Sequence, residues 1–305
     1  TYRRRICNAL HYFHPDRYDD CREFLQKEKR GFAYFYRISC ALVFRSQRTC
    51  TIPGTLTVHS RASKKLKMSS YRHLFFDLDR TLWDMERNAR ETLSELYVHY
   101  DLQARGIESS ELFIDHYNRY NDLLWDRYRR KLIDKATLRA LRFKQTLAHL
   151  GVHDHKLADQ FDHDYISEAP KKKHLIPGTL ELLDRLKNNF QLHIITNGFP
   201  EVQQHKISNG GLKDYFEIII TSEGCGYSKP DHRIYKHALK KSGGKKEEAL
   251  MIGDDLHVDI IGAREAGWHQ VFFNPAKGTH NEKVTYEICE LKEIERIVFP
   301  SPITI

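Results

Sequence analysis

The sequence predicts an α/β protein: a doubly wound, Rossmann-like parallel sheet carrying a bundle of helices inserted after its first strand. Short apolar runs alternate with amphipathic segments from residue 71 onward. The runs are continuous rather than alternating, as expected of strands covered on both faces. The interval between the first two runs exceeds a hundred residues and is almost wholly at helical period.

The first strand is 73–77 (HLFFD). After it, Ala89, Leu93, Leu96, Tyr97 and Tyr100 recur at helical spacing. So do Phe113, Tyr117, Tyr120, Leu124 and Tyr128, then Leu138, Leu141 and Ala148, then Leu157, Phe161 and Tyr165. Four such helices can bury their faces only against one another, so 85–170 is expected to form a small cap domain. It is tethered at both ends above the carboxyl edge of the sheet, where ligands of such sheets bind. The core, 71–84 and 171–300, resumes with strands at 191–196, 216–221, 248–253 and 269–273. Between them lie helices at 178–188, 200–210, 231–242 and 256–266.

Residues 1–67 stand apart. The formal charge is +8 over 305 residues, but 15 of the 49 Lys/Arg and only 5 of the 41 Asp/Glu fall in this leader. The remainder is close to neutral, so the basicity gives no reason to expect a nucleic-acid partner. The first Met is Met68, and 51–67 is a polar, basic stretch without hydrophobic period. The expectation is a non-native or disordered leader that packs poorly on the rest, its start placed too far upstream. No run approaches 18 apolar residues, so no membrane-spanning helix is expected. Cys225 and Cys289, the only cysteines after residue 67, form no C-x-x-C and fit a reducing cytoplasm.

The informative residues fall at strand ends. They are Asp77-Leu78-Asp79-Arg80-Thr81, Thr196-Asn197-Gly198, Ser228-Lys229-Pro230-Asp231 and Gly253-Asp254-Asp255 with Asp259. Singly each could be a turn or a helix cap. Jointly they fall where a doubly wound sheet gathers its ligand-binding groups. Phosphoryl transfer through an acyl phosphate needs such a set. A carboxylate attacking an anionic phosphate needs a divalent cation and a lysine beside it. Carboxylates at i and i+2 share a face, so one can attack while the other handles a proton. A hydroxyl and N–H groups at the next strand end can hold phosphoryl oxygens. Further carboxylates complete an oxygen-rich Mg²⁺ site.

In order and spacing these motifs resemble the haloacid dehalogenase superfamily across essentially all of 71–300. The resemblance implies Asp77 as nucleophile, Asp79 as general acid and base, Thr196 and Asn197 on the phosphoryl oxygens, and Lys229 steadying the charge. It implies Mg²⁺ held by Asp77, the backbone carbonyl of Asp79 and Asp254, with Asp255 and Asp259 close by. True dehalogenases lack the second Asp of the first motif, so Asp79 favours a phosphatase. A phosphomutase or a non-catalytic binder of phosphorylated ligands would keep the same motifs.

The helical cap, the stretch from Phe75 to Asp84 and Ile194-Ile195-Thr196-Asn197-Gly198-Phe199 are similar to the pyrimidine 5′-nucleotidase branch. This implies UMP, dUMP or dTMP as substrate, with small sugar or acid phosphates as the alternative, in a monomer or weak homodimer. Arg80 departs from that branch and is expected to point away from the phosphate. Trp83 and Asn88, near the active-site edge, are candidates for binding substrate. Trp125, Tyr128 and His116 are also placed for it, but Trp125 and Tyr128 are expected simply to pack the four-helix core. Arg127, Arg129, Arg130 and Lys131 read as a solvated helix face, and His153, His155 and His163 lack metal-site spacing. No P-loop, dinucleotide fingerprint or G-x-S-x-G is present.

Overall fold

Residues 71–299 are described by the computed structural model. The leader, 1–67, lies outside them. Six strands form one parallel sheet: β1 (His73–Phe76), β2 (Gln191–Thr196), β3 (Ile218–Thr221), β4 (Ala249–Gly253), β5 (His269–Phe273) and β6 (Tyr286–Ile288). Their order is β3-β2-β1-β4-β5-β6, with every neighbouring pair parallel. β1 is central, and the chain winds to one side of it through β2 and β3, then returns to the other through β4. His73 pairs with both Gln191 and Ala249, so β1, β2 and β4 end side by side.

The strands show why a continuous apolar run is needed. Leu74, Phe76, Leu192, Ile194, Leu250 and Ile252 point to one face and pack on Leu182, Leu183, Leu186 and Ile207. Phe75, Ile195 and Met251 point to the other, onto Ile234, Tyr235, Ala238 and Trp268. This is the period-2 alternation of a sheet covered on both sides. Truncating one of these fully buried rings, such as Phe75 to Ala, costs about 3–5 kcal/mol.

Between β1 and β2 lie α1 (Met85–His99), α2 (Ser110–Arg129), α3 (Lys135–His149) and α4 (His155–Glu168). Each starts on a side chain that accepts a backbone N–H: Asp84, Ser109, Asp134 and Asp154 respectively. Their inward faces share a buried cluster built from Leu93, Phe113, Tyr117, Phe143 and Phe161 among others. α5 (Thr179–Leu186), α6 (Pro200–Asn209) and α7 (His232–Ser242) cover the sheet. Among the described residues no helix is long and apolar enough to cross a membrane.

Two elements differ from the periodicity. β6 is three residues long and follows a polar stretch, too short for a hydrophobic pattern to register. The segment expected as one helix over 256–266 opens with a π-helical turn, Leu256–Ile261, before a short α-helical turn at Gly262–Glu265. Such wide turns are frequent at functional sites.

Candidate active site

The reversal of strand order falls between β1 and β4, and the strand ends there carry the charged groups. Asp77 continues the ladder past β1, its N–H donating to the Ile252 carbonyl at 2.9 Å. Asp254 follows β4 directly. In the π-helical turn the Asp255 carboxylate accepts the N–H groups of His257 and Val258. The Asp259 carboxylate accepts the Asp255 N–H at 3.1 Å. A Cβ on Gly253 would lie 2.4 Å from Asp259 Oδ2, so only glycine lets that carboxylate fold back under the strand.

Lys229 reaches this cluster from the loop beyond β3. It is 1% exposed, and its Nζ lies 2.5 Å from Asp77 Oδ1 and 2.6 Å from Asp259 Oδ1. Asn197 braces the loop: its Oδ1 accepts the Lys229 N–H at 2.8 Å, and its Nδ2 donates to the Lys229 carbonyl at 3.0 Å. Burial works against the Lys229 charge, but the Asp259 and Asp77 carboxylates outweigh it and raise the pKa. Asp77 is pushed well up by burial, opposed by Lys229 and reinforced by Asp259 and Asp254. Asp254 is pushed up to about 7, by burial and then by the Asp259 charge.

Oxygens of Asp77, Asp254 and Asp259 lie within 4.8 Å of one another. Three carboxylates and one lysine sum formally to −2, with Asp77, Asp259 and Lys229 buried and Asp254 half-buried, where an uncompensated charge costs several kcal/mol. A divalent cation with oxygen ligands cancels that sum, and this donor set suits Mg²⁺.

Asp79 belongs to a different network. Its Oδ1 is 2.6 Å from Lys206 Nζ, and its Oδ2 accepts from Gln203 Nε2 at 2.9 Å. Gln203 also donates to Thr196 Oγ1 at 2.6 Å, and that oxygen accepts the Gly198 N–H at 3.0 Å. Lys206 Nζ sits 4.3 Å above the Trp83 ring. Burial alone would raise the Asp79 pKa, but Lys206 and Gln203 hold it below the usual value. Gln203 and Lys206 were not selected from the sequence. The available signal is a polar i, i+3 pair on the buried face of the helix that follows T-N-G.

Other residues depart from expectation. Asn88 does not reach the cleft: its amide exchanges two hydrogen bonds with the His174 backbone, at 2.8 and 3.2 Å, tying α1 to the chain entering the core. Trp83 lines the cleft but is fully buried, an underlay for Lys206 rather than an open platform. Trp125 and Tyr128 do not simply pack the four-helix core. Both flank Phe199, which follows β2, with Trp125 stacked at 5.0 Å and Tyr128 edge-on at 5.6 Å. Arg80 lines the cleft, with left-handed backbone (φ 66°) and its Nε 2.7 Å from Glu86. Arg129 also lines the cleft rather than a wholly solvated face, and the His116 ring packs at a tilt against His149 instead. Of the two uncertain carboxylates, Asp259 joins the three-oxygen group while Asp255 caps the turn. Among the described residues no group of histidines could hold a metal.

A parallel sheet that gathers carboxylates, a lysine and a threonine at its central strand ends, with helices inserted after β1, carries the site of a hydrolase acting on phosphoric monoesters, the class to which its family and relatives belong. Residues 71–267 match the family model of the haloacid dehalogenase-like hydrolases, and the chain belongs to that family. It is 30% identical to the pyrimidine 5′-nucleotidase YjjG of Escherichia coli K12, over 74% of this chain and 96% of that protein. It is also 30% identical to the pyrimidine 5′-nucleotidase PynA of Streptococcus pneumoniae, over 73% of this chain and 93% of that protein. Among solved structures, the HAD-hydrolase YfnB of Bacillus subtilis, bound to magnesium and showing interdomain movement, superposes with a TM-score of 0.68 at 26% identity. That superposition covers 75% of this chain and 99% of YfnB.

Proposed function

We propose that this phosphatase is a Mg²⁺-dependent 5′-nucleotidase for pyrimidine nucleoside monophosphates such as UMP, dUMP and dTMP, working through an aspartyl phosphate on Asp77. The observation that carries the reading is the buried Asp77–Lys229–Asp259 triad beside Asp254, taken with likeness to two pyrimidine 5′-nucleotidases over nearly their whole length.

In the first step an Asp77 oxygen attacks phosphorus, and the P–O bond to the nucleoside breaks. Lys229 offsets repulsion between nucleophile and phosphate. The leaving oxygen takes its proton from Asp79. Lys206 and Gln203 favour the Asp79 carboxylate, so that proton has to arrive with the substrate, whose phosphate is partly protonated near neutral pH. In the second step Asp79, again a carboxylate, takes a proton from the water that attacks phosphorus and frees Asp77. Thr196, with the Asn197-braced loop, steadies phosphoryl oxygens. Mg²⁺ would be held by Asp77, the Asp79 carbonyl and Asp254, with Asp259 and Asp255 adjoining, and supplies neutralisation of the phosphoryl charge. Helices 85–170 act as the cap that excludes bulk water. The half-buried, unpaired Cys225 and Cys289 suit a cytoplasmic enzyme.

The test is phosphate release with Mg²⁺ from pyrimidine and purine monophosphates, phosphoglycolate and sugar phosphates. Preference for UMP, dUMP or dTMP is expected; equal or better turnover of sugar or small-acid phosphates would discard the nucleotide assignment and keep the chemistry.

A further inference from the structure

The four inserted helices bury polar side chains where their helical stripes call for apolar ones. Tyr117 and Asn121, one turn apart on α2, Arg142 on α3 and Tyr165 on α4 are each less than a tenth exposed. All four line the cleft that also holds Asp77 and Lys229. A buried guanidinium is costly unless fully paired, and a well-packed apolar side chain at the same place is usually no less stable. Arg142 is only partly satisfied. Its Nε and Nη2 both reach Asp162 Oδ1, at 2.9 and 2.7 Å, while Asp162 Oδ2 is taken by Arg139 at 3.0 Å. Although close to that oxygen, Nη2 is buried and makes no hydrogen bond. The guanidinium lies over the Tyr165 ring at 5.0 Å and the Phe143 ring at 5.3 Å, which fixes its plane. Asn121 is held loosely, its Oδ1 accepting from the Tyr117 hydroxyl at 3.5 Å.

We propose that Asn121 and Arg142 read the leaving group of the substrate. The assignment rests on the nucleotidase reading of the same cleft and adds the residues that set its selectivity. Arginine only donates hydrogen bonds, whereas a carboxamide both donates and accepts. Together they complement an imide edge, in which an N–H stands between two carbonyl oxygens. Asn121 Oδ1 accepts from the ring N–H, its Nδ2 donates to one carbonyl, and Arg142 donates to the other. An amino-substituted ring presents a donor where a carbonyl is needed and leaves a buried polar group unpaired, the arrangement that discriminates most strongly between analogues. Oxo-pyrimidine monophosphates are therefore turned over ahead of amino-pyrimidine ones.

The test compares kcat/KM for UMP, CMP, ribose 5-phosphate and p-nitrophenyl phosphate in the wild type, Asn121→Leu, Arg142→Met and Arg142→Lys. The UMP to p-nitrophenyl phosphate ratio is expected to fall at least tenfold in Asn121→Leu and Arg142→Met, chiefly through KM, and the UMP over CMP preference to shrink with it. Arg142→Lys, which keeps the charge and loses the fork, should lie between. Arg142→Met leaves Asp162 paired with Arg139 alone and so weakens the packing of the helices. Asn121→Leu leaves that ion pair intact and decides the matter alone, with thermal melting as control. A fall of less than tenfold in that variant, or equal losses on both substrates, overturns the assignment. Wild-type preference for ribose 5-phosphate over UMP overturns the nucleotide reading. The two residues are then judged by the same tenfold limit on the ribose 5-phosphate to p-nitrophenyl phosphate ratio.

Discussion

The two ends of the central strands bury opposite kinds of polar group. At the carboxyl end, Asp77, Asp254 and Asp259 face one lysine, and their charges do not cancel. At the amino end, His73 and His193 stack with ring centroids 5.4 Å apart, and His73 Nδ1 lies 3.1 Å from His193 Nε2. Burial lowers both histidines, His193 to about 4, so that pair is neutral near pH 7. One end keeps charge that the fold alone would expel; the other has shed it. The contrast separates groups retained for chemistry from groups retained for packing, and substitutions can test it end by end.

The largest effect is expected at Asp77, the proposed nucleophile. Asp77→Asn should lower turnover by more than about 10⁴-fold. The metal-free protein should nonetheless melt higher, because one of the crowded carboxylates becomes neutral. Activity assays and melting curves in chelator check both halves; a lower melting temperature would contradict the charge surplus. Next is Lys229→Ala, which strands Asp77 and Asp259. A loss of about 10²-fold or more in kcat is expected, with about 3–5 kcal/mol of stability measured by denaturant unfolding. A loss below tenfold removes Lys229 from the catalytic set.

Lys206→Met tests the neighbouring network and should act through Asp79. Nucleotides, whose leaving oxygen needs a proton, should lose about ten- to a hundredfold. Aryl phosphates with good leaving groups should lose much less, and equal losses would make Lys206 merely structural.

At the amino end the effect is on stability and carries a definite sign. The folded His193 pKa lies below its unfolded value of 6.5, so the unfolded chain binds more protons between them. The stability present above about pH 6.5 is therefore lost as pH falls toward 4. Glu248 and Glu217, whose charges favour protonated His73, moderate the loss. His193→Leu should flatten the acid limb of a stability profile by roughly 1–2 kcal/mol; an unchanged slope would place the acid sensitivity elsewhere. The smallest change is expected from Lys135→Ala, which removes the contacts to Glu201 and Glu223 at 2.8 and 3.1 Å and costs less than about 1 kcal/mol by thermal melting.

The sheet was legible in the sequence because its strands are buried on both faces and read as unbroken apolar runs, and the inserted helices because their stripes recur over several turns. The four strand-end motifs were legible as a set, since acidic and basic groups at the ends of apolar runs have no packing reason to be there. The supports around them were not. Lys206 and Gln203 matter only because α6 crosses beneath Asp79, a tertiary fact that no local spacing carries. Asn88 was misread for the converse reason: proximity in sequence to the first motif does not tell which side of α1 a side chain leaves from.

The strand order has a consequence for how the chain is made. β1 lies in the middle of the sheet, yet the partners at its two edges come late: His73 meets His193 across 120 residues, and β4 follows later still. As the polypeptide leaves the ribosome, the four inserted helices can assemble from neighbouring segments, while the apolar β1 waits with both hydrogen-bonding edges open. A chain released before β4 therefore carries Asp77 on a strand with one edge still unpaired and is a target for aggregation.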